Sequence, residues 1–489
     1  MKRLLKILSF GGIALLVAVL IAASLLGRIY GSSFAIDNIY HSVWFIALWA
    51  VTAVAGMVYI MRVSRRATLV VLHTSFVVVL LGAFTSFLTS RHGEISIAQD
   101  TVPASMFEMP DGTLEKLPFR LQLASIETVG LVSDDVPSDY IAHIVADDRS
   151  GQAMYVVSLN SPAIIKGYQF CIKGVADGAL SLLVSYDTYG RKISYVGYLM
   201  VFLSFVMLFF DRKSGFTALL YKLKARANER NAKSALAFYS ECSRGSSARS
   251  AVKGENDKVK DCTNEFSAFR FPFSAFMVLL CLLWYGRGVF PATNGAEVLM
   301  LLALSVALLA VALGRKGQFA LLRRALLVVA GVFFVIAVCS LDGGGDVQPI
   351  LRTPLLGVHV ITIIIAYALL ACAAVNAVIA LCTKDSRRRV TQALLGRLLL
   401  YPATMLLATG IFIGAVWANL SWGRYWGWDP KEVWALVTLL VCSVVFHTRS
   451  LPFMAKPVTF HIFCIVAFVA VLFTYFGVNY LLGGLHSYA

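Results

Sequence analysis

Apolar runs of about 20 residues, the length that carries a helix across a bilayer, recur eleven times along this 489-residue chain. They lie at roughly 7–26, 42–61, 69–89, 194–210, 269–286, 296–314, 322–341, 356–382, 399–420, 432–448 and 458–482. Hydrocarbon offers backbone N–H and C=O groups no partner, so each run must pair its own and fold as a helix. The expected fold class is an all-α polytopic membrane protein of about 11 transmembrane helices. A hydrophobic content of 58% and a mean hydropathy of +0.76 exclude a soluble globule, which sits nearer half apolar.

Basic residues mark the cytoplasmic ends of such helices. Lys2, Arg3 and Lys6 precede the first run, and Arg62, Arg65 and Arg66 separate the second from the third. Arg315 and Lys316 follow the sixth run, and Lys384, Arg387, Arg388 and Arg389 follow the eighth. One orientation satisfies them all, with the N-terminus in the cytoplasm and the C-terminus outside. The first run either stays as an anchor or is a signal peptide, because "SSFA" near residue 35 resembles a cleavage site. Its length suits an anchor, and the topology downstream is the same either way. Most of the net charge of +16 lies in the inner loops. Orientation and anionic lipid account for it there, so membrane lipid and not nucleic acid is the expected partner.

Two stretches break the pattern. Residues 91–193 alternate short apolar runs with turn signals such as "MPDGT" and "SDDVPSD", which predicts a small extracytoplasmic β-rich domain. Residues 211–268 are basic, rich in Ser and Ala and poor in aromatics; they read as a cytoplasmic linker unable to bury a core. The linker divides a four-span part, 1–210, from a seven-span part, 269–489. Nine cysteines are scattered without any C-x-x-C pair, and Cys171 stands alone in the external region. Neither a thioredoxin-like centre nor an external disulfide is expected.

The segment 417–434, "WANLSWGRYWGWDPKEVW", holds five of the eight tryptophans. One or two Trp at a membrane interface need no function; this density suits a platform for a flat apolar ring system. Gly423 and Gly427 remove side chains that would hold such a ligand off the backbone. Asp429, with Pro430 after it and Glu432 three residues on, also reads as the N-cap and capping box of the next helix.

An ionisable side chain in or at the rim of a membrane helix is costly and points to function. His73 and His447 lie near the inner face, whereas His359 and His486 lie near the outer. His447 is about 19 residues of helix from Asp429, roughly 28 Å, so two separate sites are expected. Imidazole pairs suit axial ligation of haem iron. His461 is the alternative for the inner pair, and His41, His92 and His143 read as external surface residues.

These residues carry a specific resemblance. "WANLSWGRYWGWDPKEVWAL" resembles the WWD segment of haem-handling proteins of cytochrome c biogenesis. "TPLLGVHVITIIIAYALLA", "HTR" at 447–449 and "FGVNYLLGGLHSYA" are similar, in order and spacing, to the CcsA/ResC pattern of System II. "LVVLHTSFVVVLLGAF" resembles CcsB/ResB, so nearly the whole chain resembles a fused CcsBA cytochrome c synthetase of the bacterial inner membrane.

The resemblance implies haem b as substrate and bound ligand. His359 and His486 would be the outer axial ligands, and His73 and His447 the inner pair. Trp417, Trp422, Trp426, Trp428 and Asp429 would contact haem, and Gly423 and Arg424 lie among them in the segment. Arg424 would pair with a propionate or anchor the helix end. The implied partners are an apocytochrome c with a CxxCH motif and a thioredoxin-like thiol reductant. The implied activity is export of haem and its attachment to the CxxCH cysteines by thioether bonds, with no residue of this chain as acid or base. Two other classes use similar residues: a haem carrier without lyase activity, and a b-type electron-transfer cytochrome.

Overall fold

The structure, a computed structural model, describes residues 1–223, 294–313, 319–340 and 349–482, apart from positions 65, 100, 134–135, 150, 177, 352 and 449. It also describes residues 225, 226, 229 and 285. Ten helices among the described residues are long and apolar enough to cross a membrane. In chain order they are α1 (Lys2–Tyr30), α2 (Val43–Val63), α3 (Ala67–Thr89), α4 (Gly190–Phe210), α5 (Gly295–Ala312), α6 (Ala320–Cys339), α7 (Pro354–Cys382), α8 (Ser386–Trp422), α9 (Pro430–Val444), carried on by a 3-10 turn, Val445–His447, and α10 (Pro457–Leu472), continued by a π-helical stretch, Phe473–Leu482. Each falls on one of the expected runs. The eleventh run, 269–286, lies outside the described residues but for residue 285, as do most of the linker and His486.

Two boundaries differ from expectation for identifiable reasons. α8 begins at Ser386, well before the apolar run at 399, because Asp385 caps it by accepting the N–H groups of Arg387 (2.8 Å) and Arg388 (3.3 Å). Hydropathy cannot register that basic, capped first stretch. The linker expected from 211 opens instead with a helical segment, 215–223, started by the Ser214 hydroxyl accepting the Thr217 N–H at 3.1 Å.

Residues 91–186 form one antiparallel eight-stranded sheet in the order β5-β4-β3-β2-β1-β8-β7-β6. The strands are β1 (Arg91–Ala98), β2 (Ala104–Glu108), β3 (Leu114–Ser133), β4 (Val136–Asp148), β5 (Gly151–Ser158), β6 (Ala163–Ile165), β7 (Tyr168–Ala176) and β8 (Ala179–Tyr186). Period-two alternation turns Ile95, Phe107, Leu121, Ile144, Phe170 and Leu182 inward. A bridge between Ser158 and Ser161 joins the two edges, curling the sheet towards a barrel.

Chain alternation places the β-domain, the start of α7, the Trp segment and the end of the π-helical stretch on one side of the bundle. Ser64, Arg66, Leu313, Phe319, the turn at 383–385 and residues 450–456 lie on the other. The bundle core joins Val201 and Phe205 of α4 to Leu370 of α7, Leu400 and Leu407 of α8, Cys442 of α9 and Phe460 of α10. Val54, Leu199, Val328 and Val469 stay exposed, as side chains facing lipid tails would.

α3 and α4 bracket the β-domain and cross at glycines. A Cβ on Gly82 would stand 2.9 Å from the Ser194 Cα, and one on Gly190 would stand 2.7 Å from the Ser86 Cα. Small residues at such crossings let membrane helices approach closely. Gly82→Val should therefore lower stability by about 1–3 kcal/mol, read as an earlier thermal unfolding transition in detergent. An unchanged midpoint would show that this contact is not tight.

Candidate functional site

The Trp segment is the irregular link between α8 and α9. α8 stops at Gly423, whose left-handed backbone (φ 72°) lets its N–H donate to the Asn419 carbonyl at 2.9 Å. α9 starts at Asp429, which accepts the Lys431 N–H at 3.1 Å, while Glu432 Oε2 accepts from Asp429 N (3.2 Å) and Gly427 N (2.8 Å). The capping box read from the sequence is present. Between these caps Trp428 holds a left-handed backbone (φ 58°), uncommon for a bulky residue. Packing keeps it there. Tyr40 stacks on the Trp428 ring at 4.4 Å and 6°, with Phe45 (5.6 Å) and Trp426 (5.8 Å) edge-on.

The tryptophans do not share one plane. Trp417 and Trp422 pair at 4.9 Å and 69°, and Trp426 meets Trp428 at 90°. Trp417 is buried, and Trp422, Trp426 and Trp428 are half-buried. The glycines also serve nearer neighbours than a planar ligand. A Cβ on Gly423 would lie 3.0 Å from the Ser185 Cβ of β8, and one on Gly427 would lie 3.3 Å from Arg424 Nε. Gly423 admits the β-domain, and Gly427 makes room for the exposed Arg424 side chain lying over it.

That junction was not legible in the sequence. Gln169 Nε2 donates to the Asn419 carbonyl at 2.6 Å, and Ser421 donates to Asn160 Oδ1 at 2.5 Å. Tyr425 donates to the Ser86 hydroxyl (2.8 Å) and accepts from Ser194 (3.1 Å), while Ser86 donates to Asp187 Oδ2 at 2.5 Å. Residues of α3, α4 and the β-domain thus hold the Trp segment. Only the lone tyrosine among the tryptophans hinted at it.

His92, expected at the surface, is partly buried on β1 directly opposite Ser185. Burial and the nearby Arg424 charge pull its pKa down to about 4, against the opposing pull of Asp187. Burial pushes the Cys171 thiol, also at this junction, up to about 11, so it stays protonated and unreactive at neutral pH. His41 is exposed, and the half-buried His143 lies 3.8 Å from Glu127.

His359 sits on α7 against α8. Its Nδ1 donates to the Gly410 carbonyl at 2.7 Å, and a Cβ on Gly414 would stand 2.6 Å from the ring. Because a carbonyl only accepts, Nδ1 carries the proton and Nε2 the lone pair, the tautomer a metal ligand needs. Trp417 is three residues beyond Gly414 on the same helical face. His486 lies outside the described residues. Towards that end, Asn479 Oδ1 accepts from Lys431 Nζ at 3.0 Å, and the Leu481 carbonyl accepts from Arg28 Nε at 3.0 Å.

At the opposite end, His73 of α3 and His447, just past α9, meet with ring centroids 6.0 Å apart and planes at 89°. Each ties Nδ1 to a backbone carbonyl one turn back, His73 to Leu69 at 2.8 Å and His447 to Ser443 at 3.0 Å, again directing the lone pair to Nε2. Two imidazole nitrogens each roughly 2.0–2.1 Å from a shared metal would place the ring centroids about 6 Å apart. Phe10 of α1 packs edge-on to His447 at 5.3 Å. His461 takes no part. It is fully buried on α10, with Nε2 donating to the Arg389 carbonyl at 3.2 Å.

Residues 62–236 match the ResB-like family, and residues 292–486 match the family described as cytochrome C assembly protein. Over 84 residues the chain is 48% identical to Protein NrfI of Wolinella succinogenes, covering 17% of this chain and 9% of that protein. It is 51% identical over 84 residues to Cytochrome c biogenesis protein CcsA of Chlamydomonas reinhardtii, covering 17% and 23%. The CcsA of Gloeobacter violaceus is 47% identical over 85 residues, covering 17% and 24%. These alignments span at most about a quarter of each relative. Both matches on one polypeptide define the class, a multi-pass membrane protein of cytochrome c biogenesis with its two parts fused. The order of the two matches, with the likeness to NrfI and CcsA, supports a protein of the fused CcsBA type.

Asp429→Ala should cost about 1 kcal/mol of stability and Asp429→Asn much less, since Asn still caps; equal losses in thermal unfolding would rule out the cap as the residue's stabilising role. A histidine with a depressed folded pKa loses its stabilising contribution as pH falls from about 6.5 towards 4. Wild type should therefore lose more stability across that window than His92→Gln, and parallel pH profiles would contradict the burial of this ring.

Proposed function

We propose that this chain exports haem and attaches it to apocytochrome c. The observation that carries the reading is the His73–His447 pair, two imidazoles from different parts of the chain at metal-sharing distance with both Nδ1 atoms tied back. Haem b reaches this pair from the cytoplasmic side, with the N-terminus inside and the β-domain outside. It then moves outward to His359 and His486, where Trp417, Trp422, Trp426, Trp428 and Asp429 border the ring and Arg424 meets a propionate. Gly423 belongs to this outer site by holding the β-domain against the segment. Residues 1–210 and 269–489 act as the two functional parts, joined by the linker.

An apocytochrome presents CxxCH, its cysteines kept reduced by a thioredoxin-like partner. Each thiol adds across a vinyl group of ferrous haem. Sulfur bonds to the carbon next to the ring, the thiol proton ends on the terminal carbon, and no external oxidant is consumed. The thiolate nucleophile belongs to the partner. No side chain of this chain acts as acid or base, so catalysis is positional, an effect on the order of 7–11 kcal/mol where orientation is complete.

Co-expression with a CxxCH apocytochrome, in cells lacking their own assembly system, tests the reading. Haem should remain on the cytochrome after denaturation, and His73→Ala, His447→Ala or His359→Ala should reduce it at least tenfold. Haem bound to the chain but none retained covalently would leave a carrier and remove the lyase.

A further inference from the structure

At the His447 end, a cavity of about 210 Å³ opens between the helical segment 215–223, α8 and the chain just past α9. Its lining is divided. Ala218, Leu219, Val445 and Phe446 are apolar, whereas Lys222, Arg397 and Tyr401 present two positive charges and a phenol. Among the described residues no acidic one lines it. Among the described residues neither Lys222 nor Arg397 has a carboxylate within ion-pair distance, and Tyr401 Oη makes no hydrogen bond. Arg397 is fixed rather than free. Its Nη2 donates to the carbonyls of Met454 (2.6 Å) and Ala455 (3.3 Å), and its guanidinium lies 4.7 Å from the centre of the Phe460 ring. Tyr401 stands one turn further along the same face of α8, with Phe446 packed on it at 4.5 Å. Gly215 admits the Tyr401 hydroxyl, which any side chain there would displace.

Cations grouped at a membrane rim without a counter-charge suit an anion. Half-apolar walls suit an anion carried on an amphiphile. The volume falls below the roughly 300–1,000 Å³ that encloses a whole drug-sized ligand, so an arm of the ligand fits and not a porphyrin. Phe446 and Thr448, both in the lining, are the immediate neighbours of His447. We infer that this cavity is an inner carboxylate site, which takes a propionate arm of haem arriving at His73 and His447. Lys222, Arg397 and the Tyr401 hydroxyl hold the carboxylate, and Phe446 and Val445 cover the methylenes. The inference rests on the inner pair being a haem site and adds a subsite that selects the free acid. A phospholipid headgroup offers the same oxyanion chemistry, and the test separates the two.

The purified full-length protein is titrated with haem and with haem dimethyl ester, whose carboxylates are masked. Binding is followed through the absorption spectrum that His73→Ala and His447→Ala abolish. Lys222→Gln and Tyr401→Phe leave the Arg397 contacts intact, so a folding loss is not expected. Wild type should bind haem about tenfold more tightly than the ester, the scale of a charge-assisted contact. The two variants should lower haem affinity towards that of the ester and leave ester affinity unchanged. Equal effects on both ligands, or none, would overturn the carboxylate site while leaving the inner pair standing. Variants that leave the haem-to-ester ratio unchanged but release the protein's preference for phosphatidylglycerol over phosphatidylcholine nanodiscs would reassign the cavity to a lipid headgroup. A spectrum unmoved by His73→Ala and His447→Ala would remove both this site and the haem reading beneath it.

Discussion

The constraint on which everything else depends is that lipid leaves no backbone group unpaired at the membrane's centre. Ten helices among the described residues answer it, and irregular chain is pushed to the two ends of the bundle. Residues that need unusual backbone therefore gather there, and so do the histidines. His359 and the Trp segment sit at one end, and His73 and His447 at the other. The two-level arrangement follows from helix length before any ligand is considered.

The Trp segment depends on a second layer of support. A bulky residue in a left-handed conformation persists only where its surroundings over-determine it. Tyr40, from the link between α1 and α2, and Phe45, from the first turn of α2, do so, and the Asp429–Glu432 caps do so from α9. Tyr425 reaches Ser86 and Ser194, and Gln169 reaches Asn419, so the ResB-like part holds the segment that the assembly-protein part supplies. Two parts that match separate families are thereby hydrogen-bonded around one site. The buried Asp187, which anchors Ser86, is the acidic end of that network.

Much of this was legible in the sequence, because the signals were physical and local. Ten apolar runs became helices, the turn-punctuated stretch became a sheet, and the Asp-Pro-Lys-Glu order became a capping box. That His73 and His447 lie at one level was legible because depth along a helix can be counted. What was hidden depended on contacts between distant parts. Hydropathy missed the basic first turns of α8 and the helix at 215–223, since caps and not apolarity start them. A second role of Gly423 was hidden because its near neighbour Ser185 is brought there by docking of the β-domain. His92 looked like surface for the same reason, and no local pattern marks a histidine that a sheet will press against a membrane loop.

The central claim is that the inner histidines share a haem. Loading the full-length protein with haem and resolving its density tests it most directly. The account predicts iron between the Nε2 atoms of His73 and His447, at the end of the bundle away from the β-domain. Haem found only elsewhere, with both imidazoles touching protein alone, would contradict it.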